Sequence, residues 1–145
     1  IHAGYTPLHG GTPPQGVSYR DDLGDGAYDD ALVWLKKIAA YCREQGVMLV
    51  LYQAPSCKRP VPARQAQLER DAAALGDVFL DFNAPARFDA LGLESGDWYD
   101  ALHFNCLGAE KFSRALAREL AALGVQPGAA DGALWAQRLD AFYNA

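Results

Sequence analysis

The sequence predicts an α/β fold, in which helices pack against a parallel sheet. Residues 47–53 form a nearly continuous apolar run with β-branched and aromatic members, as is typical of a strand buried on both faces, and the run DVFLDF, residues 77–82, predicts a second short strand. Longer segments with apolar residues at three- and four-residue intervals precede and follow these runs, and that spacing predicts helices. A glycine follows three of these segments, where helices commonly end: Gly46, Gly76 and Gly124.

The first half of the chain divides into a loop, a helix and a strand. Residues 1–27 hold many Gly and Pro without an apolar period and predict a loop or linker. Residues 28–45 predict a helix, and residues 47–53 predict the strand that follows it. The helix would bury one stripe, formed by Leu32, Leu35, Ile38, Ala39 and Cys42.

The second half repeats this order. Residues 62–75 predict a helix with a thin, Ala-rich apolar face, and residues 77–82 predict a second strand. Residues 83–98 predict a loop with one helical turn. Two further amphipathic helices are predicted over 107–123 and 131–143, the last of which would pack back on the body. Their apolar residues are Phe112, Leu116, Leu120 and Leu123 in one, and Leu134, Trp135, Leu139 and Phe142 in the other.

Two strands are too few for the helices that the chain supplies. Ordinary sheets have about five or six strands, and a two-stranded sheet cannot cover three helices. Either residues 1–27 supply irregular strands, or the rest of the sheet lies in residues outside this chain. We favour the second explanation.

Composition excludes several classes of function. A chain of 145 residues, half of them hydrophobic, fits one globular domain. The net charge of −5, without a concentration of Lys and Arg, argues against nucleic-acid binding. The longest apolar run is too short to span a membrane. Three cysteines without metal-ligand spacing predict neither a disulfide framework nor a metal or cofactor site, and the compartment stays open.

The residues most suited to chemistry lie in the segment GDWYDALHFNCLGAEKF, residues 96–112. It follows the last predicted strand, at the sheet edge where α/β proteins place their sites. Asp100 and His103 are spaced so that the carboxylate can accept a hydrogen bond from Nδ1–H, which leaves Nε2 free to take a proton from a nucleophile. The same spacing also fits a surface Asp and His that only satisfy hydrogen bonds of the loop.

The wider string D-W-Y-D-A-L-H-F-N-x-x-G-A-E-K-F resembles the final block of the SGNH (GDSL-like) hydrolases. It is most similar to a bacterial branch with the block D-[YFW]-x-D-x-x-H-[LF]-N-x-x-G-A-x-K, and the resemblance covers about residues 28–123. It implies a three-layer α/β/α, flavodoxin-like fold, of which residues 28–145 would form the C-terminal part with an incomplete parallel sheet. It also implies that His103 is the catalytic base and Asp100 its orienting carboxylate, acting without a cofactor.

The neighbouring residues have two interpretations each. Asn105 either caps the following helix or contacts substrate. Trp98, with Tyr99, either lines an acyl or sugar pocket or packs in the core. We expect Asp97 to be structural, and Gly108 with Ala109 to allow close packing of the helix start.

The departure from the family concerns the nucleophile. Its members take a Ser from a Gly-Asp-Ser-like turn after the first strand, and no such motif occurs in this sequence. We therefore expect the nucleophilic Ser, and the oxyanion donors, in an N-terminal half of the same protein, and this chain alone to be inactive. Ser56 and Cys57 follow a strand and face the same sheet edge, so either could approach His103 as a nucleophile. The resemblance implies instead that this loop, with Ser56, lines the substrate site.

Two functions of different classes follow. The first is an esterase or acyl-transfer domain acting on an O-acyl ester of a small molecule or carbohydrate. The second is a non-catalytic module derived from the same fold, which binds a glycan or a protein. A phosphate- or nucleotide-binding flavodoxin-like domain is disfavoured, because no Gly-rich turn joins a strand to a helix.

Overall fold

The structure is a computed structural model that describes residues 8–12, 14–20 and 25–125, together with residue 137. In chain order its elements are β1 (Ser18–Arg20), α1 (Asp25–Glu44), β2 (Val50–Gln53), β3 (Lys58–Pro60), α2 (Pro62–Leu75), β4 (Val78–Asp81), α3 (Pro85–Ala90), a 3-10 turn (Ser95–Asp97) and α4 (Cys106–Ala122). The α/β class that the sequence predicted is confirmed.

The two predicted strands, β2 and β4, pair in parallel, with Val50 opposite Val78 at one end. Helix α2 connects them along the chain and covers one face, where Gln65 donates a hydrogen bond of 2.9 Å to Gln53 of β2. Helix α4 covers the other face, where the Phe112 ring lies 5.9 Å from the Tyr52 ring. Helices therefore lie on both faces of this sheet.

The hydrophobic core lies between this sheet and α4. Leu80 and Phe82 are 3% and 2% exposed, and Leu91 joins them from the loop after α3. Phe82 meets Phe112 of α4 edge to face, with ring centroids 5.0 Å apart, a favourable geometry for aromatic pairs. This packing fixes the position of α4 relative to the carboxyl ends of β2 and β4.

A second sheet was not predicted. β1 pairs in parallel with β3, with Ser18 opposite Lys58 and Arg20 opposite Pro60. Both strands have three residues and lack an apolar run, so hydrophobic pattern could not indicate them. The N-terminal segment thus supplies a strand, but to a separate sheet, and in the described part of the chain β2 pairs only with β4.

Several predicted boundaries need correction. Helix α1 begins at residue 25 rather than 28. Strand β2 begins at Val50 rather than at residue 47. The hydrogen bonds toward β4 begin only at Leu49, whose carbonyl accepts the Asp77 N–H at 2.9 Å, so residues 47 and 48 lie before the paired segment. Helix α4 begins and ends one residue earlier than predicted. Helix α2 has the predicted bounds, and the loop over 83–98 holds both α3 and the 3-10 turn.

The buried stripe predicted for α1 is correct in part. Ala39 is 2% exposed and Leu32, Leu35 and Cys42 are half-buried, but Ile38 is 50% exposed. Within the described part, α1 packs mainly on α2, which covers only a narrow strip of its surface. The helix predicted over 131–143 lies outside the described residues, apart from residue 137.

None of the described helices combines the length and the apolar character that crossing a bilayer requires.

Replacement of Phe82 by Ala tests the core. We expect F82A to lower the free energy of unfolding by about 3–5 kcal/mol, because it empties a ring-sized space between the sheet and α4. Urea unfolding followed by circular dichroism measures this loss. Tyr41→Ala is the control, because that ring is 64% exposed and its removal changes stability by about 0.5 kcal/mol or less. Equal losses in the two variants would contradict the assignment of the core.

Candidate active site

The site is built on a loop, residues 97–105, that folds back on itself. The N–H groups of Tyr99 and Asp100 donate to the carbonyl of His103 at 2.9 and 3.3 Å. Trp98 and Phe104 form an antiparallel bridge, and their ring centroids lie 4.6 Å apart. Trp98 is 4% exposed, so this aromatic pair anchors both ends of the loop in the interior.

The structure brings Asp100 and His103 together. Nδ1 of His103 lies 2.9 Å from Oδ2 and 3.0 Å from Oδ1 of Asp100. Oδ1 also accepts the N–H groups of Leu102 and His103, at 2.7 and 2.8 Å. These backbone hydrogen bonds fix the carboxylate independently of its contact with the His103 ring. An ionised carboxylate only accepts, so Nδ1 carries the proton and Nε2 is left as the acceptor in the neutral ring.

Hydrogen bonding controls the charge of Asp100. The side-chain hydrogen bond from His103 holds the pKa of the Asp100 carboxyl below its usual value, and the N–H groups of Leu102 and His103 act in the same direction. Partial burial opposes these effects and does not outweigh them. The group that orients the imidazole is therefore a carboxylate at neutral pH.

The dyad lies on an open surface. The side chains of His103 and Asp100 are 60% and 46% exposed, and neighbouring Tyr99 is 40% exposed. A groove elsewhere is lined by Glu94, Asp97, Leu107, Glu110, Lys111 and Arg114, and it includes neither member of the dyad. Within the described residues, the ring of His103 is accessible to a molecule that approaches from solvent.

The loop after β2 holds the dyad at the carboxyl end of the sheet, where the sequence predicted it. The carbonyl of Ala101, between Asp100 and His103, accepts the N–H groups of Cys57 and Lys58 at 3.0 and 3.2 Å. The Ser56 hydroxyl lies 3.3 Å from the same carbonyl. Two N–H donors and one hydroxyl within hydrogen-bonding distance therefore surround the carbonyl in the middle of the Asp-x-x-His turn.

Ser56 is engaged in this loop. Its Oγ lies 3.0 Å from the Lys58 carbonyl and accepts the Lys58 N–H at 3.1 Å. One hydroxyl proton can serve either the Lys58 or the Ala101 carbonyl. Among the described contacts none joins Ser56 to His103, and a substrate-binding role for Ser56 stays a prediction.

Two supporting residues, Asn83 and Arg59, were not predicted from the sequence. Asn83, 7% exposed, accepts the Ser56 N–H at 2.9 Å and donates to the Ala54 carbonyl at 3.0 Å. Arg59 donates to the carbonyls of Ser56 and Asn83, each at 3.1 Å. The available signal was the position of Asn83 directly after the second strand, at the same sheet edge as the dyad.

Asn105 is the cap of α4. Its Oδ1 accepts the N–H groups of Leu107 and Gly108 at 3.0 and 3.2 Å, and its Nδ2 donates to the Gly96 carbonyl. The capping interpretation is confirmed. Asn105 is 6% exposed, so its side chain faces the protein and not the solvent. Trp98 packs in the interior as described above, so the packing interpretation holds for its ring. Substrate contacts by either residue stay predictions.

Asp97 is structural, as expected. It is 4% exposed, and its Oδ2 accepts both the Lys111 ammonium and the Glu94 N–H at 2.7 Å. A Cβ at Gly108 would overlap the backbone carbonyl of Asp97, so only glycine fits where α4 crosses the 3-10 turn. The expected close packing of the helix start is confirmed.

Among the residues that the structure describes, no group of three or more His, Cys, Asp or Glu side chains converges on a common point.

Comparison with known proteins gives no relative: no family model, no curated protein and no solved structure matches this chain.

The charge of Asp100 can be titrated directly. Carbon NMR of the side-chain carboxyls is expected to give Asp100 a pKa below the usual value of about 3.9. His103→Ala raises this pKa toward the usual value, because it removes the main stabilising hydrogen bond. The depressed pKa adds stability that is present above pH about 3.9 and is lost as the pH falls through the folded-state pKa. Ser113→Ala, on exposed α4 surface, is the control, and an unchanged Asp100 titration in H103A would contradict the geometry.

The cap can be tested by paired substitutions at Asn105. Asn105→Ala is expected to lower the free energy of unfolding by about 1–2 kcal/mol, since two N–H groups of α4 lose their acceptor. Asn105→Ser keeps a side-chain oxygen that can accept at the cap and loses the donation to Gly96, so it should cost less. Chemical unfolding of the two variants and the parent measures the order. Equal stability of N105A and the parent would show that the cap contributes nothing.

Proposed function

We propose that this chain is the C-terminal part of an SGNH-like esterase or acyl-transfer domain, to which it contributes the base and its orienting carboxylate. The single observation that carries the proposal is the hydrogen bond from His103 Nδ1 to the Asp100 carboxylate. The order of side chains around it, Asp97 to Lys111, supports the same family. The flavodoxin-like fold is part of this proposal.

The reaction uses the free ring nitrogen. A Ser hydroxyl, supplied by an N-terminal half of the same protein, attacks the ester carbonyl while Nε2 of His103 takes its proton. Asp100 stabilises the imidazolium that forms. The imidazolium then protonates the departing alcohol, which leaves an acyl-enzyme. Water, or a second alcohol in acyl transfer, attacks the acyl-enzyme with His103 again as base, and the Ser hydroxyl is regenerated.

Two features of the described residues support the approach of the proposed N-terminal half to the dyad. The imidazole is more than half exposed, so a nucleophile from another segment has access to it. β2 pairs with β4 alone among the described strands, so its second edge is available for a neighbouring strand. Both are conditions that the proposed N-terminal half requires.

The substrate class is an O-acyl ester of a small molecule or a carbohydrate. Tyr99 and Leu102, beside the dyad, are 40% and 37% exposed and provide an apolar surface next to the base. An aromatic ring of this kind can pack on a sugar or an acyl chain. No cofactor is required by the reaction as written.

The test is ester hydrolysis by the full-length protein that contains this chain. Turnover of 4-nitrophenyl acetate and of an acetylated oligosaccharide is measured for the parent, for His103→Ala and for Asp100→Asn. We expect H103A to lower kcat by about 10²–10⁴-fold, because it removes general-base catalysis. We expect D100N to lower it by about 10²-fold or more, because the neutral amide neither fixes the tautomer nor stabilises the imidazolium.

Asp89→Asn is the matched control, because Asp89 is an exposed carboxylate on α3 away from the dyad. Its turnover should equal that of the parent. Full turnover in H103A would refute the proposal. Glycan binding without turnover in the parent, unaffected by H103A, would instead support the non-catalytic module.

A further inference from the structure

We propose that Cys106 is a reactive thiol, served by His9 as its base, and that it forms mixed disulfides with low-molecular-weight disulfides. The two side chains are 97 positions apart in sequence, yet Cys106 Sγ lies 3.6 Å from His9 Nδ1. This thiol–imidazole pair is separate from the Asp100–His103 dyad, and the inference does not depend on the proposed esterase.

The pair is accessible. His9 is exposed and Cys106 is half-buried. A nucleophilic thiol next to an imidazole nitrogen is the arrangement that general-base activation needs, since the ring takes the proton as the sulfur attacks. A small reagent can therefore reach the sulfur while its base is in place.

The backbone holds His9 against the start of α4. On one side, the Leu8 carbonyl accepts the Cys106 N–H at 3.0 Å, and on the other, the Thr12 N–H donates to the Tyr99 carbonyl at 2.9 Å. Between them, Gly11 has φ +130° and packs so closely on the Tyr99 backbone that a Cβ would overlap it. Two backbone hydrogen bonds and one glycine contact thus fix the segment that carries the imidazole.

The position of the sulfur favours attack. Cys106 is the first residue of the 17-residue helix α4, where the helix dipole stabilises negative charge that develops on the sulfur. Glu110 follows one turn later on the same side of the helix. Its carboxylate accepts a hydrogen bond from Arg114 at 2.7 Å, which offsets its charge.

The reaction is a thiol–disulfide exchange. Cys106 Sγ attacks one sulfur of a disulfide RS–SR, the new Sγ–S bond forms and the old S–S bond breaks. His9 Nδ1 takes the thiol proton and returns it to the departing RS⁻, which leaves as RSH. The net change is one protein thiol and one disulfide to one mixed disulfide and one small thiol, with no further oxidant.

The other two cysteines provide internal references. Cys57 is 6% exposed, and burial raises the pKa of its thiol, so it should react most slowly. Cys42, on α1, is half-buried like Cys106, but no imidazole contacts it among the described residues. The difference in reaction rate between Cys106 and Cys42 therefore measures the combined effect of His9 and of the helix start.

The experiment measures three rates in one reaction. The reduced, folded chain is incubated with 2-hydroxyethyl disulfide, a neutral reagent, then quenched in acid, digested, and quantified at each cysteine by mass spectrometry. We expect Cys106 to react about tenfold or more faster than Cys42. His9→Asn should slow Cys106 severalfold without changing Cys42, and the contribution of the helix start remains. Ser113→Ala, at an exposed position farther along α4, is the control and should leave the Cys106 rate unchanged.

Three results would overturn the inference: equal rates at Cys106 and Cys42 in the parent, an unchanged Cys106 rate in H9N, or an equal loss in S113A. A second measurement needs no variant. Nitrogen NMR of the parent chain should show the His9 ring signal shift when Cys106 is converted to the mixed disulfide. An unchanged ring signal would also overturn it. None of these outcomes depends on esterase activity, so this inference and the proposed function can fail separately.

Discussion

The arrangement of the site depends on the carbonyl of Ala101. The N–H groups of Cys57, at the end of the loop after β2, and of Lys58, at the start of β3, donate to it, and the Ser56 hydroxyl lies 3.3 Å from it. Because Ala101 lies between Asp100 and His103, this contact fixes the turn that carries both side chains of the candidate dyad. An isolated Asp-x-x-His turn would sample many orientations, whereas here its midpoint is tied to the end of a core strand.

The support extends into the interior through polar contacts that are all satisfied. Buried Asn83 connects the loop after β2 to the end of β4, and Arg59 bridges the same two segments through their carbonyls. On the other side, Asn105 and Asp97 bind the start of α4 to the 3-10 turn. Buried polar groups stabilise a single arrangement only when each has a partner, and these do.

The main elements were predictable from the sequence because the spacing of their apolar residues matches the period of a helix or a strand. α2 was predicted with its observed bounds, and β2, β4 and α4 within a few residues. β1 and β3 were not predicted, because short strands held by backbone pairing leave no apolar signal. The exposure of Ile38 was missed for a related reason: periodicity gives the apolar stripe of a helix but not how much of it a neighbour covers.

The candidate site was predictable only where it is local. Asp100 and His103 lie three residues apart, so a turn suffices to join them, and the sequence indicated the pair and the cap at Asn105. Asn83, Arg59 and the approach of His9 to Cys106 depend on tertiary placement across 24 to 97 positions. No spacing rule in a single sequence reaches such separations.

The parallel pairing of β1 with β3 has a consequence for local motion. Ser18 N–H donates to the Cys57 carbonyl, while the Cys57 N–H donates to Ala101, so one peptide segment connects the N-terminal strand to the dyad turn. Loss of either hydrogen bond loosens Cys57 and so weakens the other hydrogen bond. Amide hydrogen exchange across β1, β3 and the turn should therefore proceed as one cooperative opening rather than as three independent ones.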